Sequence, residues 1–392
     1  MLKKFKVDGL DIMSLMNGLV FFAPVALLVR LDAGISTTQF FILQAFLSIV
    51  ILVLEIPTGK MTDIIGYRNT MIMSQVMLTF ARILLFVSYV SGNYVIFFLE
   101  AFVEGIASCF SSGTESSYLY GLYNEDEFVV KTAHVSNFGT AGFIISTIAY
   151  AGLYKIFNIE GLLIGTIITS AIGVFTSFTL KKEKVKDAGS EKLRIKSASV
   201  KSCFCNSKTI LIVVAFSCIS IVFVIINFFY VEKLQMIGLD EEFMTIIILG
   251  YSIIQLLSEK ILDKFTGKYG RLLIGSFVLA GALLICFGFL LNKIVIILIM
   301  LILPLLMSIP CFILDEVQNK IIDAYDVEEK RAEMLSVMNM GVNLVEVIFL
   351  FQSAIFSKIG ISICFFIIGL IIEIISIIIG VMLIKNPQKL IS

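Results

Sequence analysis

The sequence predicts an all-α integral membrane protein with twelve transmembrane helices in two pseudo-symmetric six-helix halves. Three observations carry this expectation. The 392 residues are 58% hydrophobic and only 15% charged, with a mean hydropathy of +1.01, outside the range of soluble domains. The apolar residues come in long unalternating runs such as LLIGTIITSAIGVFTSF, and a helix satisfies its own backbone where no water is present. A single long polar stretch, residues 181 to 208, divides those runs six and six.

In chain order the runs cover 10 to 30, 39 to 56, 70 to 90, 94 to 122, 132 to 154 and 161 to 180. They resume at 208 to 231, 243 to 261, 271 to 291, 294 to 320, 333 to 356 and 361 to 384. The first follows Lys3, Lys4 and Lys6, as a signal peptide would, but it is as long as a full span and no small-residue cleavage site follows, so it is expected to stay as helix 1. The domain expectation is 1–180 for the first half, 181–207 for a cytoplasmic basic linker and 208–392 for the second half. Lys and Arg divide 24 against five between alternate loops, with Arg82 inside the third run, which places both termini on the cytoplasmic side of the inner membrane.

The seven cysteines are scattered, and the pair in SCFCN makes only half of a usual zinc site, so neither a disulfide framework nor a metal is expected. No cofactor is implied. An enzyme is not expected either: there is one histidine and no GxSxG, HExxH or phosphate loop in a suitable context.

A weak repeat relates the halves. A shift of 200 residues places Asp63 over Asp263, Arg68 over Lys268, Glu115 over Asp315, Asp126 over Asp326 and Lys131 over Arg331. The second copy of the polar junction, SEKILDKFTGKYGRL, carries one inserted residue.

The first copy is EIPTGKMTDIIGYRN, residues 55 to 69. Pro57 is expected to end helix 2 or open the turn, Gly59 and Gly66 to allow tight turning, and Asp63 to present a carboxylate near helix N-termini. Together with the twelve runs and the basic centre, Gly59, Asp63, Gly66 and Arg68 resemble the loop 2/3 signature of the major facilitator superfamily. Ile64 and Tyr67 depart from its basic positions. PVALLVRLDAGIS and SSGTESSYLYG are similar to a bacterial efflux-like branch, with Gly121 standing where that branch has an acid. The resemblance implies a secondary transporter in which Asp63 and Arg68 help hold a cytoplasmic gate in one state of an alternating-access cycle. It also implies a second-half gate at Asp263, Lys268 and Asp315.

Charges inside spans default to functional hypotheses. Glu100, Glu104 and Glu115 are read as one acidic stripe down helix 4, because four and eleven residues are close to whole turns. Arg82 in helix 3 is expected to pair with Glu100 or Glu104, leaving the other acid for proton coupling. In NMGVNLVEV, Asn343 and Glu346 form a polar face with Asn339, and Asn227 and Gln255 add hydrogen-bonding groups to a cavity. Glu55 is expected to reach the cytoplasmic interface and His134 to be solvated.

The expected function is secondary transport of a small amphipathic solute, lipophilic or cationic, by proton-coupled drug-type efflux. The expected partners are that solute, protons and the lipid bilayer, with no nucleic acid. Competing readings are a dedicated metabolite, lipid or peptide transporter, and a transport-dead sensor or scaffold. Antiporters of the superfamily that the chain resembles usually carry a Gly-Pro pair in helix 5, and NFGTAGFIISTIAYAGLYK has no Pro, which counts against outward antiport.

Overall fold

The computed structural model describes residues 5–182, 206–239, 243–359 and 361–385. The side chains of 126, 227, 228, 231, 232, 350–361 and 382–385 are also outside the description. Most of the expected linker, 183–205, lies outside it as well.

Helices follow one another without a strand among the described residues. The first span is α1, Gly9–Gly18, then a short 3-10 turn at Ala23–Val25 and α2, Ala26–Asp32. Asp8 opens α1 with a capping box: its carboxylate accepts from the amides of Leu10 and Asp11 while its own amide donates to Asp11 at 2.9 Å. Next come α3, Thr37–Ile65, capped by Ser36 and Gln39, and α4, Tyr67–Ser91. Gly92, at φ 62°, and Asn93 turn the chain into α5, Tyr94–Ser111, which continues as α6, Thr114–Leu122. The segment α7, Glu125–Ser177, breaks at Asn158.

The remainder comprises α8, Ser207–Met236, α9, Phe243–Gln255, and α10, Ser258–Lys264. It ends with α11, Tyr269–Phe289, α12, Lys293–Ala324, α13, Arg331–Ile359, and α14, Ile361–Lys385.

Eleven helical segments are long and apolar enough to cross a membrane. One of them, Glu127–Ser177, is 51 residues, and straight it would be about 75 Å long, more than twice the hydrocarbon thickness. It folds back at Asn158, as its contacts with the first span show. Ser14 Oγ donates to Val135 O at 2.8 Å, before the break, while Thr169 Oγ1 donates to Leu19 O at 3.1 Å, after it. That segment therefore holds two spans, and the total reaches the expected twelve.

Two sequence expectations need correction here. Pro57 does not end helix 2, because α3 runs through it to Ile65. Beside it the Thr58 hydroxyl turns back onto the carbonyls of Leu54 at 2.8 Å and Glu55 at 3.0 Å, so its polar group is satisfied within the helix. The turn is thus a single residue, Gly66, at φ 92°. Nor is the helix 4 stripe continuous: Gly113, at φ 68°, breaks the span between Glu104 and Glu115.

The spans up to residue 182 pack chiefly with one another, as do those from 206 onward. Their principal mutual contact is α3 against α13, and α7 also meets α9, α10 and α12. Close approach of α3 and α13 needs Gly59, where an added Cβ would lie 2.6 Å from Ser336 Oγ and 2.9 Å from Ala332 O. Large apolar side chains such as Ile49, Val53, Ile148 and Phe175 face outward, as a lipid-facing surface requires.

Candidate functional site: the junction between the two sets of helices

Hydrogen bonds and ion pairs joining the two sets gather at the end that holds the Gly66 turn. Asp63, on the last turn of α3, faces the start of α13. Its Oδ1 accepts from the Ala332 amide and its Oδ2 from the Glu333 amide, each at 2.9 Å. The first amides of a helix have no partner within it and carry the positive end of its dipole, so a carboxylate there is held by charge and by hydrogen bonds together. Lys60 adds a more exposed ion pair to Glu333 at 3.5 Å. Arg68 turns to its own set, donating to Leu180 O and Phe178 O, both at 2.7 Å, at the end of the sixth span.

Beside this contact α6 meets α12. Ser116 Oγ donates to Asp315 Oδ1 at 2.7 Å and receives a bond from Asn319 Nδ2 at 2.8 Å. Tyr120 donates to Asp323 at 3.0 Å, Arg331 pairs with the same Asp323, and the guanidinium lies 4.6 Å from the Tyr120 ring centre. Lys320 bridges Glu125 at 2.8 Å and Glu316 at 3.2 Å.

The opposite flank joins α7 to α9 and α10. His134 Nδ1 and Glu259 Oε1 are 2.8 Å apart, and Asn137 Nδ2 donates to Glu259 Oε2 at 3.2 Å and to Leu256 O at 3.1 Å. Behind His134 lies a cluster the sequence reading did not find. The fully buried Lys131 pairs with the fully buried Asp11 at 2.7 Å and with Asp8 at 3.2 Å. Burial works against the Asp8 charge, yet Lys131 and the amides of Asp11 and Leu10 outweigh it, so this carboxyl titrates below its ordinary value. The available signal was Asp8 and Asp11 beside the first apolar run, three residues apart as in a capping box. His134 is thus part of a polar junction rather than solvated.

A cleft of about 520 Å³ lies between the sets, next to this flank. From the first set it takes Ser14, Glu115, Ser136, Gly139, Thr140 and Phe143; from the second, Phe223, Tyr251, Ser252 and Gln255. The Glu115 side chain makes no hydrogen bond or ion pair among the described residues, and Asp315 lies close enough to repel it. A carboxylate of this kind can take a proton or a cationic group. Gln255 is held by Ser308.

The remaining expected residues fall elsewhere. Arg82 pairs with Glu104 at 3.1 Å, and Glu100 is not left over, because Arg30 pairs with it at 3.5 Å. Arg30, at the end of the first apolar run and one of the five basic residues counted on the outer side, is only 5% exposed. Phe22 contacts both cations, with its ring centre 5.8 Å from Arg30 and 5.2 Å from Arg82. Glu346 receives a bond from Ser220, Asn339 donates to Ser112 at 3.0 Å, and Asn343 lies on the same helix, half-buried. Asn227 is in α8, with its side chain outside the described residues. Asp263 ends α10 half-buried, and Lys268 is exposed just before α11, after Gly267 at φ 75°.

Among the described residues no cluster of His, Cys, Asp and Glu has the makings of a metal site. No curated protein matches the chain significantly. Solved structures do. A variant of the fucose:proton symporter FucP of E. coli superposes with a TM-score of 0.73 at 14% identity, over 95% of this chain and 97% of that one. A structure of FucP described as outward in conformation gives 0.75 over the same shares, at 14% identity. The human organic anion transporter MFSD10 gives 0.70 at 10% identity, over 95% and 97%. At these identities the likeness concerns the fold. The family profile described as Major Facilitator Superfamily matches residues 10–315, most of the chain, and the chain belongs to that superfamily of membrane transporters.

Proposed function

We propose that this protein is a secondary transporter that moves a small amphipathic solute across the cytoplasmic membrane by alternating access. It is coupled to protons, and drug-type efflux is its first reading. The observation that supports this best is the Asp63 carboxylate on the first two free amides of α13, a contact between the two sets of helices beside a cleft lined by both. Such a contact is built for two states: it is specific, charge-assisted, and lost as a unit when the sets tilt apart. In this reading the Gly66 end is cytoplasmic and closed, with Gly59 permitting the close packing that closure needs. Glu115 supplies charge to the cleft, and Phe143, Phe223 and Tyr251 supply its apolar wall. Gln255 contributes an amide at its edge.

A second reading, uptake of a polar metabolite by symport, is favoured by one feature of the same cleft. Ser14, Ser136, Thr140, Ser252 and Gln255 make its lining as rich in hydroxyl and amide groups as in rings. Proteoliposomes under an imposed pH gradient test both. Gradient-driven ethidium movement lost in Asp63→Asn, at near-normal abundance of folded protein, supports the efflux reading. Ethidium stationary while a labelled sugar or amino acid moves would replace it with the second. Equal loss of abundance and movement in Asp63→Asn would make Asp63 a structural residue only.

A further inference from the structure

Glu55 is a buried acid that belongs neither to the repeat nor to the cleft lining. It lies on α3, two turns before Asp63, and is 1% exposed. Among the described residues no cation stands within ion-pair distance of it. The nearest charges on its own helix are committed elsewhere, Lys60 to Glu333 and Asp63 to α13. α5 brings the Cys109 thiol and α13 brings the Asn339 amide near the carboxyl, and both are uncharged. Ser112, at the end of α5, donates to Glu55 Oε1 at 2.6 Å, and Asn339 Nδ2 donates to Ser112 Oγ at 3.0 Å. Oε2 is buried and accepts no hydrogen bond within bonding geometry among the described residues, with the Cys109 thiol and the Asn339 amide its polar neighbours. The chain Glu55–Ser112–Asn339 therefore crosses from the first set of helices to the second, behind the Asp63 contact.

We propose that Glu55 binds a proton while the Gly66 end is closed and releases it when that end opens. Its carboxyl is then the place where a proton gradient acts on the conformational cycle. This rests on the alternating-access reading above. The physical argument is one of charge in a dry place: an ionised carboxylate without a cation, with one oxygen unsatisfied, is far more costly to bury than a neutral carboxylic acid. Closure desolvates Glu55 between α3, α5 and α13. Separation of α13 breaks the Asn339–Ser112 bond and admits water, which takes the proton and solvates the anion left behind. Protonation from that side then becomes a condition for closing again.

The test uses the full-length protein in lipid vesicles, in a Leu335→Cys background that places a thiol in the closed α13 surface against Gly113. Infrared spectroscopy follows the carboxylic acid C=O band as pH is raised, and alkylation of the thiol at position 335 follows opening. Expected are loss of a protonated-carboxyl band and gain of alkylation over one shared pH range. In Glu55→Gln that band is absent and the thiol stays protected throughout the range. Opening with an unchanged pH profile in Glu55→Gln would overturn the assignment and leave alternating access standing. A thiol protected at every pH in the parent and in Asp63→Asn alike would instead remove the alternating-access reading. If Glu55→Gln does not fold, Ser112→Ala decides. That change removes both a donor to Glu55 and the acceptor of Asn339, so the band and the alkylation move together to a new shared pH range, whereas a band and an alkylation curve that separate overturn the proposal.

Discussion

The two flanks of the junction start from related sequences and reach different chemistry. On one, α3 ends at Gly66 and Asp63 seats on the bare amides of α13. On the other, α10 leads to Gly267, also at positive φ, but the bridge to α7 is made by Glu259, four residues before Asp263, through the side chains of His134 and Asn137. The repeat preserves the backbone turn and the presence of an acid while exchanging a helix-terminus contact for a side-chain one. A carboxylate on backbone amides is held by a helix terminus, whereas a carboxylate on side chains depends on where His134 and Asn137 place their rotamers. The first flank is therefore a backbone clasp and the second a side-chain one.

Buried charge should matter most to this comparison. Lys131→Met leaves Asp11 buried without its cation, a loss of about 3–5 kcal/mol, and should abolish accumulation of folded protein measured by detergent size-exclusion. The repeat-equivalent Arg331→Met should cost less, since its partner Asp323 is 42% exposed. If the two variants fail equally, the asymmetry drawn above is wrong.

Crowding the clasp comes next. Gly59→Ala places a Cβ 2.6 Å from Ser336 Oγ, and the resulting overpacking of about 1–3 kcal/mol should push the Gly66 end open while the second flank stays intact. Limited proteolysis near residue 64 would read that opening. Glu259→Gln should weaken the second flank by about 1 kcal/mol, read as a shift toward longer distances between spin labels on α7 and α10. The smallest effect belongs to Lys60→Ala, an exposed pair worth about 0–1 kcal/mol that should disappear in high salt. Acid gives a check on sign. The Asp8 value is lower in the fold than unfolded, so its pairing contributes fully above the ordinary carboxylate range and fades as pH falls through the lowered value. Thermal stability that rises on acidification through that window would contradict the described Asp8–Lys131 contact.

Much of the architecture was legible because hydropathy is read one segment at a time. The spans, the turn at Gly92 and Asn93, and the division near Asn158 follow from runs of residues and their punctuation. Asp63 was also legible, since its spacing from Gly59 and Gly66 is local. What escaped depends on partners far along the chain. Arg30 looked like an outer-side cation until Glu100 and Phe22 enclosed it. Glu55 looked interfacial because nothing in EIPTG says that α13 covers it. The stripe on helix 4 failed for a backbone reason: ideal helical spacing cannot anticipate a left-handed residue at Gly113.

The most direct test of the clasp is the distance between its two sides. Spin labels in place of Ile64 and Glu329, both exposed at the rim of the contact, allow double electron–electron resonance on the protein in vesicles. The account predicts a dominant short distance in the parent and a clear shift of population toward a longer one in Asp63→Asn, with folded abundance maintained. An unchanged distribution in Asp63→Asn would contradict it, since the two helices would then be held together by something other than that carboxylate.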